Sequence, residues 1–197
     1  MHTPQTIRSL LRDWIIRTKE HKVSDVFINE LCIVDKTCRV DLVHANGRFI
    51  GFEVKSEADT LKRWPQQMDA YLRIFDEVWL CCHRKHALRG AETSDPAVGI
   101  IIIDELSSLA ILRPAQYNKK VNPLALAGLL WRKELDQLCS LYGMPVIRRQ
   151  LIQDVRYLVA DKVPVDALKA FVLQRVKERY SMLPYNSSSS SDSSPAP

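Results

Sequence analysis

Two short apolar runs that flank Asn46-Gly47 constrain the fold of this chain more than any other feature. Residues 38–44 and 49–54 are rich in β-branched and aromatic side chains, and Asn-Gly between two such runs is a strong signal for a β-hairpin. The sequence therefore predicts two antiparallel strands joined by a short turn.

The length of that turn decides whether Asp41 and Glu53 share a face of the sheet. A two-residue turn would pair Asp41 with Phe52 and send Glu53 to the opposite face, because successive side chains alternate along a strand. The two carboxylates converge only if the connection holds an odd number of residues. We therefore expect either a three-residue turn over residues 45–47, with Gly47 in a left-handed conformation, or a bulge.

The remaining segments alternate between helical and extended patterns. The spacing predicts helices over residues 6–20, 65–75, 123–142, 148–160 and 165–180, strands over 26–34, 77–82 and 98–104, and a polar loop over 83–97. The order helix, three strands, helix, strand describes an α/β core with a mixed sheet. We expect this core over residues 1–120, a helical C-terminal extension packed on it over 121–183, and a disordered serine-rich tail over 184–197.

Charge and cysteine content narrow the class of protein. No apolar run approaches the ~18 residues of a membrane span, and the N-terminus lacks the pattern of a signal peptide. Five cysteines, an odd number in mostly apolar runs, suit a reducing cytoplasm better than a disulfide framework. The net charge of +5 permits a polyanionic partner, and residues 148–180, with eight Lys or Arg against four Asp or Glu, form the predicted phosphate-contacting helices.

Three charged residues on the hairpin carry the candidate chemistry. Glu53 and Lys55 are two apart on one strand, so their side chains point to the same face. If Asp41 reaches that face, two carboxylates meet beside an ammonium, and such a pair needs a proton or a cation between them. Mg²⁺ suits a small set of oxygen ligands, and Lys55 would then orient or deprotonate a bound water. The alternative is a surface ion pair on an amphipathic strand and an exposed turn acid.

Other residues could support such a site. Gln67 and Tyr71 are four apart on one helix face, where Gln67 would bond a water or phosphate and Tyr71 would prop it or contact DNA; a core tyrosine beside a solvated glutamine is the alternative. Glu30 would supply a third carboxylate or organise Lys55, or else it is a strand-end acid. Arg63 is either a phosphate contact or a surface arginine. A zinc site at residues 81–86 is disfavoured, because adjacent cysteines point to opposite faces of a strand.

These motifs resemble the PD-(D/E)XK, restriction-endonuclease-like superfamily. Asp41 ends RVD and the FEVK run holds Glu53 and Lys55, although Val40 replaces the usual proline. Gln67 to Tyr71 resembles the Q-x-x-x-Y motif of the RecB-like branch, and residues 51–86 resemble a family of bacterial and phage proteins. The resemblance implies a restriction-endonuclease-like αβββαβ core.

The same resemblance implies a Mg²⁺-dependent deoxyribonuclease, with Mn²⁺ as a substitute ion. Asp41, Glu53 and the Val54 carbonyl would bind the metal, Lys55 would be the catalytic lysine, and Glu30 and Gln67 would support them. Arg63 and Tyr71 would contact the substrate.

Several alternatives stay open at this point. RNA is the alternative substrate, the mode of cleavage is undefined, and a homodimer is one option for the oligomeric state. The rival function is a catalytically silent nucleic-acid-binding or interaction protein on the same fold, acting in phage–host conflict or DNA repair.

Overall fold

Six strands form one mixed sheet in this chain. The computed structural model describes residues 3–18, 22–34, 37–145 and 149–181. The strands are β1 (Val26–Ile33), β2 (Cys38–Ala45), β3 (Phe49–Lys55), β4 (Glu77–His83), β5 (Gly99–Ile103) and β6 (Leu109–Arg113).

Seven α-helices lie within the described residues. They are α1 (Pro4–Thr18), α2 (Trp64–Leu72), α3 (Ala87–Thr93), α4 (Pro123–Ala127), α5 (Arg132–Leu141), α6 (Ile152–Lys162) and α7 (Val165–Ser181), with a 3₁₀ turn at Arg84–His86 before α3. The predicted mixed α/β class is confirmed.

The strands lie in the sheet in chain order. Strands β1 to β3 are antiparallel, β3 to β5 are parallel, and β5 and β6 are antiparallel. The connections after β3 and β4 therefore leave from the same edge of the sheet, at the carboxyl ends of the parallel strands.

One face of the sheet is covered by α1. Ile7, Leu11 and Ile15 recur every four residues, so they form one apolar stripe, and they pack with sheet residues such as Phe52 and Trp79. The opposite face carries the larger core, which includes residues of α2 and of α4 to α7. Burial on both faces explains why every residue of β3 is buried.

The hairpin prediction is confirmed in its essential point. Ala45 pairs with Phe49, so three residues, 46–48, form the connection. Gly47 has a positive φ of 140°, and the Asn46 side chain accepts a hydrogen bond from the Arg48 N–H. The turn is thus odd in length, although it lies one residue later than residues 45–47.

Three other predictions about elements were wrong. The predicted polar loop over 83–97 contains the 3₁₀ turn and α3. The predicted helix over 123–142 is two helices, because Trp131 is extended and its N–H donates to the Glu134 side chain, which starts α5 anew. Strand β6 was not predicted. The predicted tail falls outside the described residues from 182 onward.

Within the described part of the chain, none of the helices combines the length and apolarity needed to cross a bilayer. All five cysteines are free thiols.

Candidate functional site

Asp41 and Glu53 lie where β2 and β3 stop pairing. The last backbone pair joins Leu42 to Phe52, and the same register continued by one residue places Asp41 opposite Glu53. The Asp41 Oδ2 atom accepts a hydrogen bond from the Val54 N–H at 2.9 Å. A carboxylate therefore takes an acceptor position at the end of the strand pair, half-buried beside the second acid.

The Glu53 carboxylate is enclosed by hydrogen-bond donors. The Lys55 ammonium donates to Glu53 Oε1, and the Tyr71 hydroxyl donates to Glu53 Oε2. Lys55 also donates to Gln67 Oε1 at 3.1 Å. Glu53 is 2% exposed, Lys55 5% and Tyr71 0%. These four residues, which we call the Glu53 network, join β3 to α2, and both oxygens of its acid are satisfied internally.

Burial and the charge of Glu53 shift the pKa values of two neighbouring residues, Asp41 and Tyr71. Burial, and then the Glu53 charge, raise the pKa of Asp41 from 3.8 to about 6, against the opposing effects of the Val54 N–H and Lys55. Burial and the Glu53 charge also raise the pKa of the Tyr71 phenol, so Tyr71 is a neutral donor. Near neutral pH, Asp41 therefore lies close to its titration point.

As arranged, these residues do not fit the expected magnesium ion. Within the ranges that the structure describes, no three His, Cys, Asp or Glu side chains are placed to hold a metal. Both Glu53 oxygens already have donors, and one Asp41 oxygen binds a backbone N–H. Mg²⁺ requires several free oxygens in octahedral geometry. The predicted roles of Asp41, Glu53 and Val54 as ligands stay predictions.

The other predicted site residues lie around this network. Glu30 has a positive φ of 57° and pairs with Arg8 at 3.0 Å and Arg39 at 3.3 Å, so it organises these arginines instead of Lys55. Arg63 is exposed and is the residue before α2. Val54 is buried and pairs with Cys81 in the parallel ladder.

The cysteines of β4 are core residues. Cys81 and Cys82 are 0% exposed, and burial raises the pKa of both thiols, that of Cys82 to about 12. His86 lies 3.2 Å from the Ser56 carbonyl oxygen. Buried thiols of this kind are inert, and that histidine links the two loops that follow β3 and β4.

Most described cations of the C-terminal helices have partners within the protein, and the phosphate contacts expected of these helices stay a prediction. Five of these cations have partners: Arg156 donates to the Gly128 carbonyl, Lys169 pairs with Asp76, Arg175 with Glu178, Lys177 with Asp25 and Arg179 with Glu134. Arg149 is exposed and forms no ion pair with a described residue. The four paired side chains are at most 22% exposed. Arg148 lies outside the described residues.

Five exposed cations lie in the segments that follow β3 and β4, toward the carboxyl ends of these strands. We call this surface the basic edge, and its members are Lys62, Arg63, Arg84, Lys85 and Arg89. Two of them have exposed partners, since Arg84 lies 2.8 Å from Glu105 and Arg89 3.6 Å from Glu92. The other three form no ion pair with any described residue.

The acids near the basic edge are largely engaged. Asp59 accepts hydrogen bonds from the Ser56 N–H and hydroxyl, and Asp104 accepts from the N–H groups of Leu106 and Ser108. Glu57 is half-buried on the same loop as Asp59. The three unpaired cations of the basic edge are therefore available to an anionic partner.

Sequence reasoning singled out only Arg63 in this set. Arg84, Lys85 and Arg89 were missed because residues 83–97 were interpreted as a polar loop. The signal that could have found them is the density of positive charge over residues 84–89, which hold Arg84, Lys85 and Arg89.

Comparison with known proteins gives a family but no solved relative. The model of the family "Bacteriophage P4 protein cII" matches residues 2–188. A relative, "Protein cII" of Enterobacteria phage P4, is 27% identical over 180 residues, which cover 89% of this chain and 67% of the relative. No solved structure matches the chain.

This family match corrects the functional part of the sequence interpretation. The assignment to the PD-(D/E)XK nuclease superfamily was wrong, and with it the predicted Mg²⁺-dependent deoxyribonuclease activity. The short motifs around Asp41, Glu53 and Lys55 misled because they also occur where an acid and a lysine satisfy each other inside a sheet. The expected phage connection is confirmed, and the chain belongs to the bacteriophage P4 protein cII family.

Proposed function

We propose that this chain is a non-catalytic regulatory protein that binds nucleic acid through the basic edge. The observation that carries the proposal is the cluster of Lys62, Arg63 and Lys85, which are exposed and form no ion pair with a described residue. They lie in the segments that follow the adjacent parallel strands β3 and β4, so they lie toward the same end of the sheet, where a phosphate backbone can contact them.

The energetics of exposed charges favour phosphate at this edge. Exposed ion pairs such as Arg84–Glu105 contribute only about 0–1 kcal/mol. A polyanion can therefore compete with Glu105 for Arg84 and with Glu92 for Arg89. The N-terminus of α2, which begins at Trp64 beside Arg63, adds partial positive charge. The net charge of +5 acts in the same direction at longer range.

The Glu53 network has a positioning role in this proposal. Lys55, Gln67 and Tyr71 tie α2 to β3, and α2 starts directly after Lys62 and Arg63. A buried, internally satisfied network fixes one arrangement of neighbouring elements. The network would therefore hold the cations in place without touching nucleic acid.

The order of the first six elements supports a finer description of the core. We infer that α1, β1, β2, β3, α2 and β4 form a restriction-endonuclease-like αβββαβ core that serves as a binding scaffold. DNA is the proposed partner, RNA is the alternative, and the cytoplasm is the proposed compartment because both nucleic acids occur there.

Binding with matched charge variants tests the proposal. Fluorescence anisotropy with labelled duplex DNA, single-stranded DNA and RNA would compare the wild type with the triple variant Lys62→Ala, Arg63→Ala, Lys85→Ala. The control triple variant is Lys119→Ala, Lys133→Ala, Arg149→Ala. It removes the same charge from exposed residues that also form no ion pair with a described residue.

The two triple variants should behave differently. We expect the basic-edge variant to lose at least about tenfold in affinity. The slope of its log affinity against log salt concentration should be less steep, by the amount that corresponds to about three lost phosphate contacts. The control should lose less than about threefold through the weaker long-range field. Equal losses would refute the location, and a wild type that binds none of the three nucleic acids would refute the function.

A further inference from the structure

The two edge strands of the sheet differ in how well they are protected against pairing with another chain. At β1, Glu30 has a positive φ of 57° and drops out of the ladder with β2, and α7 lies against the strand. A kink and a charged side chain both oppose the addition of a further strand. At the other edge, β6 holds only uncharged side chains from Leu109 to Leu112. The open edge of the sheet is therefore β6.

The centre of β6 is exposed on both of its faces. β6 is the last strand of the sheet in the described part of the chain, with β5 as its neighbour. Ala110, Ile111 and Leu112 are all exposed, Ile111 to 43% and Leu112 to 47%. Ala110 and Ile111 precede the irregularity in the ladder, so they point to opposite faces. The outer side of an edge strand also presents main-chain N–H and C=O groups, and these fit another strand.

The two ends of β6 limit the length over which a further strand can pair. Pro114 follows the strand directly, and because it has no N–H, it ends the pairing. At the other end, the Asp104 side chain accepts hydrogen bonds from the N–H groups of Leu106 and Ser108 and closes the turn before the strand. Pairing is thus confined to the five residues of β6.

We propose that β6 pairs antiparallel with β6 of a second copy of this chain, with Ile111 at the centre of the pairing. This centre places Ile111 opposite Ile111 of the partner subunit and Ala110 opposite Leu112 of the partner subunit, so the whole strand is paired. The two sheets would then form one continuous sheet across a two-fold axis, and the same residues serve both copies. The inference uses none of the cations of the basic edge, so it does not depend on the proposed function.

Charge along the hairpin favours a second copy in the antiparallel direction. Asp104 and Glu105 precede β6, Arg113 closes it, and residues 107–112 between them hold no charge. Antiparallel pairing brings the acidic end of each copy toward the Arg113 end of the other, whereas parallel pairing would bring like charges together. Arg113 itself donates to the Val98 and Asp95 carbonyls of its own chain, so it stays clear of the partner strand. The uncharged stretch of one β6 therefore matches that of the other along its full length.

The size of the contact predicts a weak dimer. A pair of five-residue strands buries less area than the ~1,200–2,000 Å² of a standard stable interface. We therefore expect a dimer that is half dissociated at about 10–100 µM protein. Sedimentation velocity of the full chain from about 1 to 500 µM covers this range and should show the wild type change from monomer to dimer.

Replacement of the central residue tests the pairing. Ile111→Lys places two ammonium groups opposite each other at the two-fold axis, and like charges directly opposite destabilise a strand pair. The variant should dimerise at least about tenfold more weakly than the wild type. Leu141→Lys changes a leucine on α5 that is 68% exposed and should dimerise as the wild type does. Thermal unfolding of both variants verifies that each one is folded.

A mixture of opposite charges distinguishes self-pairing from any other use of this edge. Ile111→Glu alone should also be a monomer, but mixed with Ile111→Lys it should form a dimer, because opposite charges then meet at the axis. A wild type that stays monomeric throughout the range would overturn the inference. Undiminished dimerisation of Ile111→Lys would also overturn it, and so would a mixture of the two variants that stays monomeric.

Discussion

At the level of single residues, Asp41 is a half-buried acid whose partners are a backbone N–H and a neighbouring carboxylate. Its carboxylate accepts the Val54 N–H, and burial beside Glu53 raises its pKa to about 6. A group whose pKa is raised on folding binds its proton more tightly in the folded state. Its contribution to stability is therefore complete below its unfolded pKa near 4 and is lost as the pH rises through 6.

Replacing Asp41 by asparagine removes this titration while keeping an oxygen that can accept the Val54 N–H. We expect Asp41→Asn to raise the free energy of unfolding at pH 8 by roughly 2 kcal/mol and to change it little at pH 4. Urea unfolding of the variant and the wild type at several pH values between 4 and 8, with chelator present, measures this change in the free energy of unfolding. Asp13→Asn, at an exposed site on α1, is the control. An Asp41→Asn variant that is equally destabilised at both pH values would contradict the assignment.

Tyr71 closes the Glu53 network from the helix side. Its hydroxyl donates to Glu53 Oε2 and also lies 3.2 Å from the Arg39 carbonyl, and the side chain is fully buried. Loss of this donor would leave a buried carboxylate oxygen without its partner. Lys55 would then be the main compensation for the Glu53 charge.

Tyr71→Phe should therefore destabilise the fold by about 1–3 kcal/mol, the usual range for a buried acceptor left unsatisfied. Denaturant midpoints of the variant and of Tyr157→Phe, which alters a 61% exposed tyrosine on α6, provide the comparison. The Tyr157 variant should stay within about 0.5 kcal/mol of the wild type. Similar midpoints for both variants would mean that the Glu53 network contributes nothing to stability.

At the level of elements, α7 is attached to the sheet by ion pairs as well as by its apolar stripe. Lys169 pairs with Asp76, and its ammonium lies 2.7 Å from the Tyr117 hydroxyl. Asp76, at the start of β4, also accepts the Phe49 N–H at 2.9 Å. Burial alone would lower the pKa of Lys169, but the hydrogen bonds to Asp76 and Tyr117 raise it, so the lysine stays charged.

Lys169→Met keeps the length of the side chain and removes its charge. We expect a loss of about 2 kcal/mol in the free energy of unfolding, because Asp76 would be left nearly buried without its counter-ion. Lys162→Met breaks an exposed pair with Asp161 and should cost less than about 0.5 kcal/mol. Thermal unfolding of the two variants decides the matter, and equal losses would show that the Lys169 pair does not anchor α7.

Elements with strong local patterns were predictable from the sequence. The every-fourth-residue stripe of α1 and the Asn46-Gly47 turn gave the correct element types. The break in the predicted helix over 123–142 was missed, although its local cap joins Trp131 to Glu134. Distant Arg179 also bonds the Leu129 carbonyl and lies over the Trp131 ring, contacts that no local pattern indicates. Strand β6 was missed because it is short and half-exposed, so its pattern is weak.

For the whole molecule, the sequence placed the Glu53 network correctly in space but not in function. Spacing predicts that Glu53 and Lys55 share a face of β3 and that Gln67 and Tyr71 share a face of α2. Whether two acids and a lysine face a metal or satisfy one another depends on the side chains of α2, which no spacing rule defines. The match to the bacteriophage P4 protein cII family overturns the interpretation as a nuclease.

Charge distribution is likewise a property of the whole molecule. Counting residues placed the phosphate contacts on the basic C-terminal helices, yet Lys169, Lys177 and Arg179 there form ion pairs with other elements of the fold. Exposed cations without such a partner also lie in the segments that follow β3 and β4. Net charge over a segment therefore says little until its internal partners are known.

One assay measures binding and cleavage in the same sample. Labelled duplex DNA would be incubated with the wild-type chain and millimolar Mg²⁺, the bound fraction measured by anisotropy, and the strands then analysed on a denaturing gel. We predict DNA that is bound in a salt-dependent manner and recovered at full length. DNA that is cut by the wild type but not by Lys55→Ala, or DNA that is not bound at all, would contradict a non-catalytic nucleic-acid-binding protein.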